Sequence, residues 1–120
     1  MSPVTLAFIG DGVFELLVRE RLLANGSMPA NKLHALAVKQ VKASAQAAAY
    51  PALEAASTET ELDILRRGRN ANTSKVPKSC TPEDYRKATA MEALFGYLYL
   101  SGDLARIHEL YRIVSAEINR

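Results

Sequence analysis

The sequence predicts an all-α protein, a helical bundle that forms a single domain over residues 1–120. Apolar residues recur at helical spacing along most of the chain, and strand-like alternation is nowhere sustained. Alanine, the strongest helix former, is abundant. A chain of 120 residues, of which 48% are hydrophobic, is also long enough to bury a core of its own.

The first half of the chain predicts three helices. The first runs from about Pro3 to Ala24 and ends at an Asn-Gly pair, a common helix stop. The second begins near Pro29 and continues through an alanine-rich stretch to Tyr50. A short third helix is expected to follow, with Pro51 near its first turn.

The second half predicts three more helices. The fourth opens at Thr58, which stands at capping-box spacing from Glu61, and closes at 66–68, where basic residues suit the negative end of the helix dipole. A polar loop follows, and the fifth helix starts with Thr81 as N-cap and runs to about residue 100. After a Gly-Asp turn, the sixth helix presents one apolar stripe over 104–118.

Asp11 and Glu92 are the most informative residues, because each is a lone carboxylate in an apolar helical segment. Each has a glycine within four residues, Gly10 and Gly96. A helix glycine costs roughly 1 kcal/mol relative to alanine, and a buried unpaired carboxylate costs more. The simplest common cause is two helices that pack closely at the glycines and direct both carboxylates at one cation. The alternative is two surface carboxylates on amphipathic helices.

A magnesium ion suits this pair, since Mg²⁺ takes oxygen ligands and keeps several waters. Such an ion can activate a water and stabilise the charge that develops on a phosphate. Glu15 lies one helical turn after Asp11 and is expected to pair with Arg19 rather than to join the site.

Other catalytic patterns are not recognisable. His108 is followed by Glu109, but Arg112 stands where a zinc-protease motif requires its second histidine. His34 has no partner at metal-ligand spacing, and neither a Ser/His/Asp grouping nor a glycine-rich phosphate loop is present.

Charge and cysteine content limit the partners. The formal net charge is only +2, which is low for a protein that holds nucleic acid by charge alone. An RNA substrate would therefore need a local basic patch, a second subunit or a helper.

No apolar run approaches the ~18 residues of a membrane span, and no secretory signal is visible. The lone Cys80 suits a reducing cytoplasm and is expected to be an inert surface thiol.

Basic residues concentrate at the end of the fourth helix and in the loop after it: Arg66, Arg67, Arg69, Lys75 and Lys78. They are predicted to contact RNA phosphates, which fix position and carry no sequence information. The alternative is a solvated helix end. A second basic strip on the second helix, formed by Lys32, Lys39 and Lys42, is interpreted as solvated surface.

The chain resembles the ribonuclease III catalytic domain, and within that family the small branch called Mini-ribonuclease III. Three blocks carry the resemblance, in the family's order: 6–19 around Gly10-Asp11-Gly12, 67–71 (Arg-Gly-Arg-Asn-Ala), and 85–100 around Glu92. Ala7 and Thr89 stand where the wider family has acidic residues, and both departures are similar to the Mini-ribonuclease III branch.

The resemblance implies Mg²⁺-dependent hydrolysis of double-stranded RNA to 5′-phosphate and 3′-hydroxyl ends, with Asp11 and Glu92 as metal ligands. It also implies a homodimer in which Phe8, at an aromatic position of the family, inserts into the partner. The alternative is that Phe8 fills its own core.

For the Mini-ribonuclease III branch, the implied substrate is the 23S ribosomal RNA precursor, with a large-subunit ribosomal protein or precursor ribosome as helper. No segment resembles a double-stranded-RNA-binding module.

Two rival functions remain compatible with the sequence. One is a non-catalytic RNA-binding relative that kept the fold, since Ala7 and Thr89 leave only two recognisable carboxylates and put a two-metal mechanism in doubt. The other is a helical protein-interaction module, which would be expected to show an apolar stripe without the two acids.

Overall fold

The structure is a computed structural model that describes residues 1–71 and 75–120. Six α-helices account for most of these residues, and no strand occurs among them. The helices are α1 (Pro3–Leu23), α2 (Ala30–Val41), α3 (Ala43–Ala56), α4 (Glu59–Arg69), α5 (Pro82–Leu100) and α6 (Leu104–Ile118). The predicted all-α class is therefore confirmed.

Helix α5 lies at the centre of the fold and packs against α1, α3 and α4, while α6 packs mainly against α3. The side chains of Met91, Leu94 and Phe95 on α5 are fully buried. Phe14 of α1 joins three helices, because its ring lies 5.8 Å from those of Phe95 and Tyr111. One hydrophobic cluster draws residues from all six helices.

The predicted N-terminal caps are confirmed. The Thr58 hydroxyl accepts from the Glu61 amide at 3.2 Å, and the Glu61 carboxylate accepts from the Thr58 amide at 2.9 Å. Thr81 caps α5 by accepting from the Asp84 amide at 3.1 Å. Helix boundaries that depend on neighbouring side chains were therefore predictable.

The long second helix expected from the sequence is wrong. It is two helices, α2 and α3, separated at Lys42, whose backbone is extended with φ −62° and ψ 152°. Pro51 consequently lies inside α3 rather than at the start of a short helix. Neither glycine nor proline marks the break at Lys42, so the local sequence does not show it.

Gly68 was expected to end α4, but it lies inside that helix, one residue before its last. A Cβ at Gly68 would stand 2.7 Å from the Cα of Ala90, so this glycine lets α4 approach α5. Within the described chain, no helix is both long enough and apolar enough to cross a membrane.

Candidate active site

Asp11 and Glu92 meet where α1 crosses α5. A Cβ on Gly10 would overlap the backbone carbonyl of Glu92, and one on Gly96 would overlap the carbonyl of Leu6. Only glycine permits this approach, and the predicted packing at the two glycines is confirmed. Because Asp11 follows Gly10 directly and Glu92 lies opposite Gly10, the crossing brings the two carboxylates close enough for the charge of Asp11 to raise the pKa of Glu92.

Glu92 is half-buried, and its pKa rises from the ordinary 4.5 to about 8. Burial is the largest cause, and the negative charge of Asp11 is the second. A hydrogen bond from Gln46 lowers the pKa of Glu92 but does not offset these two effects. No lysine or arginine in the described chain forms an ion pair with this carboxylate. The described chain therefore supplies no cation to stabilise the ionised form of Glu92, which keeps its proton up to about pH 8.

Gln46 of α3 is a site residue that sequence reasoning missed. It is only 2% exposed, and its Nε2 donates to Glu92 Oε2 at 3.3 Å and to the carbonyl of Val41 at 2.9 Å. Its Oε1 is buried without a hydrogen-bond partner among the described residues. A buried acceptor left unpaired costs about 1–3 kcal/mol. The only sequence signal was a polar residue in an alanine-rich helix.

An open cleft lies beside Glu92 and Gln46, between the α2–α3 junction, the segment before α5 and α5 itself. Its walls include Lys42, which had been interpreted as solvated surface, and Cys80. Cys80, expected to be an inert surface thiol, is half-buried in the wall of the cleft. Both residues are far from the acids in sequence, and only the fold brings them here.

Ala7 and Thr89, the two positions at which acidic residues are absent from this chain, have different surroundings. Ala7 is 8% exposed and belongs to the hydrophobic core. The hydroxyl of Thr89 donates to the carbonyl of Tyr85 at 2.9 Å, one turn earlier in α5, although Thr89 also lines the cleft. Glu15 pairs with Arg19 at 3.2 Å, as expected.

Among the described residues, no group of three or more histidine, cysteine, aspartate or glutamate side chains could hold a metal ion. The candidate site therefore has two carboxylates, Asp11 and Glu92, and no more. Two carboxylates are enough for an ion such as Mg²⁺, which keeps most of its waters.

The predicted RNA-contacting residues have different surroundings. Arg67 is exposed, as are Lys75 and Lys78, whereas the intervening residues 72–74 lie outside the described part. Arg69 is half-buried, with its guanidinium 5.9 Å from the ring centroid of Tyr50. Arg66 pairs with Asp63 one turn earlier.

Phe8 is 82% exposed, so the alternative that it fills its own core is wrong. Val4 and Leu16, spaced by multiples of four residues from Phe8 on α1, are exposed as well. These three side chains form an apolar stripe on the outer surface of α1.

The comparison with protein families matches residues 4–103 to the ribonuclease III domain. The chain belongs to the ribonuclease III family. Curated relatives named Mini-ribonuclease 3 place it in the Mini-ribonuclease III branch. The relative from Symbiobacterium thermophilum is 46% identical over all of this chain and 92% of its own length. The relative from Thermoanaerobacter sp. is 43% identical over 94% of this chain and 80% of its own length.

A solved structure has the same fold. The crystal structure of protein FN1578 from Fusobacterium nucleatum superposes with a TM-score of 0.86 at 33% sequence identity, covering 94% of this chain and 92% of that one. Membership of the family makes the chain an endoribonuclease. Ribonuclease III enzymes act on double-stranded RNA with the help of a divalent metal ion.

The residues at the α1–α5 crossing fit such an ion. Two neighbouring carboxylates, one of them half-buried, supply hard oxygen donors, and no cation of the described chain pairs with Glu92. The unpaired Oε1 of Gln46 is a further acceptor beside Glu92, of the kind that a water around the ion would satisfy.

Proposed function

We propose that the chain hydrolyses double-stranded RNA in a Mg²⁺-dependent reaction, with Asp11 and Glu92 as the residues that hold the ion and give the site its catalytic function. One observation carries this proposal: the glycine crossing joins two carboxylates, and no cation of the described chain pairs with Glu92. Perturbed carboxyl groups of this kind are typical of functional sites.

The bound ion would supply an activated water and would stabilise the charge on the scissile phosphate, which leaves 5′-phosphate and 3′-hydroxyl ends. The contribution of the protein is to hold the acids. Close packing at Gly10 and Gly96 fixes the helices that carry Asp11 and Glu92. Partial burial at the crossing limits the access of water to Glu92 and strengthens its interaction with a cation.

Asp11→Asn and Glu92→Gln test the proposal, because each removes a charge while keeping the volume of the side chain. We expect each to lower cleavage of a long RNA duplex in Mg²⁺ by at least roughly 1000-fold, more than the 10–100-fold typical of residues that only support a ligand. Both variants should still shift the duplex in a gel, since most affinity comes from phosphate contacts.

Asp63→Asn and Glu83→Gln are matched controls, because both residues are exposed and lie on α4 and α5. Cleavage by these controls should stay near the wild-type rate, and chelator should stop it in every active protein. Near wild-type cleavage by either Asp11→Asn or Glu92→Gln would disprove the metal-site assignment. Wild-type protein that binds duplex RNA but never cleaves it would instead favour the non-catalytic relative.

Arg67, Lys75 and Lys78 are proposed contacts to RNA phosphates, on the ground that all three are exposed at the end of α4 and the segment before α5. Arg67→Ala should weaken duplex binding and reduce the log-log salt slope by about one unit. Arg69→Ala should do the same but also destabilise the fold, because Arg69 packs on Tyr50. Arg120→Ala, at the end of the chain, is the control. An unchanged slope for Arg67→Ala would leave the basic cluster as a solvated helix end.

A symmetric homodimer is proposed from the exposed stripe of Val4, Phe8 and Leu16 on α1. A two-fold axis would supply a second site for the second strand of the duplex. Phe8→Ala should shift the protein toward the monomer in light scattering, whereas Leu62→Ala, an exposed leucine on α4, should not. A wild-type monomer that cuts both strands with a fixed stagger would contradict the dimer.

The proposed biological substrate is the 23S ribosomal RNA precursor in the bacterial cytoplasm, and residues 1–120 are proposed to act as one unit. A net charge of only +2 favours a substrate presented together with a large-subunit ribosomal protein or a precursor ribosome. Precursor particles should therefore be cleaved faster than the same RNA stripped of protein. Equal rates on the two substrates would argue against a helper.

A further inference from the structure

Gln46 occupies the corner between α2 and α3, directly beside the proposed ion site. Its amide nitrogen has two hydrogens, and both of its partners, the Val41 carbonyl and the Glu92 carboxylate, are acceptors. Two acceptors fix which end of the amide is nitrogen, so Nε2 faces both and Oε1 is left over. The orientation of this buried amide is therefore determined by its contacts.

The Val41 carbonyl is a rigid attachment point. Val41 is the last residue of α2, where carbonyl groups lack partners within the helix, and Lys42 turns the chain with an extended backbone. Gln46 lies only five residues later on α3 and closes this corner by donating back to Val41 at 2.9 Å. The same nitrogen reaches Glu92 on α5, so one side chain links three helices.

We propose that Gln46 is a positioning residue that ties the Glu92 carboxylate to the α2–α3 corner and so holds it in the orientation that binds a divalent cation. This inference rests on the proposed function, in which Glu92 holds the ion. Burial supports it, because a fully buried amide between fixed partners has little freedom to release Glu92. The leftover Oε1 supports it further, because this acceptor lies at the site without a partner in the described chain. A residue that served only to close the corner would not need to reach Glu92.

Gln46→Met is the first test, because methionine keeps the length and volume of the side chain but cannot donate a hydrogen bond. Mn²⁺ binding, measured by electron paramagnetic resonance without RNA, should weaken by roughly tenfold or more, the range expected for residues that support a metal ligand. The Mg²⁺ concentration that gives half-maximal cleavage should rise by a similar factor. A purely structural role would lower the amount of active enzyme without moving this midpoint.

Gln40→Met is the matched control. Gln40 also makes side-chain hydrogen bonds, to Asn119 at 2.8 and 3.1 Å, but on the surface between α2 and the end of the chain. Its loss should leave both metal readouts unchanged. Gln46→Asn is the second variant: it keeps a buried amide but is one methylene shorter, so it cannot span Val41 and Glu92 together. It should weaken Mn²⁺ binding as Gln46→Met does, even where Gln46→Met proves too unstable to assay.

The outcomes separate the two proposals. Weaker Mn²⁺ binding by a Gln46 variant, with Gln40→Met unchanged, supports the positioning role. Wild-type affinity in a folded Gln46→Met or Gln46→Asn protein overturns that role and leaves the ion site intact. Failure of the wild-type protein itself to bind Mn²⁺ overturns the ion site and, with it, the role of Gln46.

Discussion

Glu61 and Glu92 are both acids at contacts between helices, Glu61 buried and Glu92 half-buried, yet their surroundings are opposite. Glu61 is only 5% exposed, and Arg106 of α6 donates to its two carboxylate oxygens at 2.8 and 2.9 Å. The amide of Thr58 donates to the same carboxylate. Glu92 instead lies beside Asp11, another acid, and receives one amide hydrogen bond from Gln46 at 3.3 Å.

The pKa values of the two groups shift in opposite directions for this reason. The hydrogen bond from Arg106 is the largest influence on Glu61 and holds its pKa below the ordinary value, against the effect of burial. Burial is the largest influence on Glu92 and raises its pKa to about 8. Burial alone therefore does not identify a functional acid. Glu92, the acid that has no cationic partner in the fold, is the one expected to bind a ligand.

Arg106→Ala should have the largest effect on stability, because it would leave the buried Glu61 carboxylate without its cationic partner. Arg106 also donates to the Ala56 carbonyl at 2.9 Å, so this carbonyl would lose a partner as well. We expect a loss of roughly 3–5 kcal/mol in the free energy of unfolding, the usual cost of breaking a buried pair. Urea denaturation measures it, with the exposed Arg112→Ala as control. A loss below about 1 kcal/mol would mean that the pair behaves like a surface ion pair.

Glu92→Gln should have the next largest effect, and it should stabilise the metal-free protein at pH 8. Between pH 4.5 and about 8, folded Glu92 keeps a proton that the unfolded chain has lost. Because the folded state binds more protons, wild-type stability falls as the pH rises through this window. At about 1.4 kcal/mol per pKa unit, the variant should gain up to about 4 kcal/mol at pH 8 and little at pH 4.5.

Thermal melting in chelator across pH 4.5–8 tests this expectation. Glu61 contributes with the opposite sign, since its lowered pKa gives stability that is present above the ordinary value of 4.5 and is lost as the pH falls through the folded-state pKa. Within pH 4.5–8 the wild-type protein should therefore lose stability only toward the alkaline end, whereas the loss from Glu61 should begin below pH 4.5. Parallel pH profiles for wild type and Glu92→Gln would show that Glu92 is not held as an unpaired buried acid.

Gly10→Ala and Gly12→Ala should have the smallest effects, of opposite sign. A Cβ at Gly10 would overlap the Glu92 carbonyl, so alanine should push α1 away from α5 and cost about 1–3 kcal/mol. Gly12 has open space around its Cβ position, so alanine should stabilise α1 by about 1 kcal/mol. Because Gly10→Ala should also move Asp11 away from Glu92, it should reduce cleavage, whereas Gly12→Ala should not. Equal melting temperatures for the two variants would contradict the close crossing.

The sequence by itself determined the features that depend on near neighbours along the chain. The capping box of Thr58 and Glu61 and the cap at Thr81 were predicted, because their hydrogen bonds join residues three positions apart. The combination of Asp11 and Glu92 with Gly10 and Gly96 could also be recognised from the sequence. A helix glycine and a buried acid each lower the stability of the fold, so their joint presence indicates a packing or functional requirement. The metal role of the two acids stays a prediction.

Only the tertiary structure decided the features that join distant residues. Gln46 reaches Glu92 across 46 positions and closes a corner at Lys42 that no glycine or proline marks. Arg106 reaches Glu61 across 45 positions, which separates a paired acid from an unpaired one. A buried polar group is costly without a partner. The identity of that partner depends on which helices pack together, a property of the whole core rather than of any local stretch of sequence.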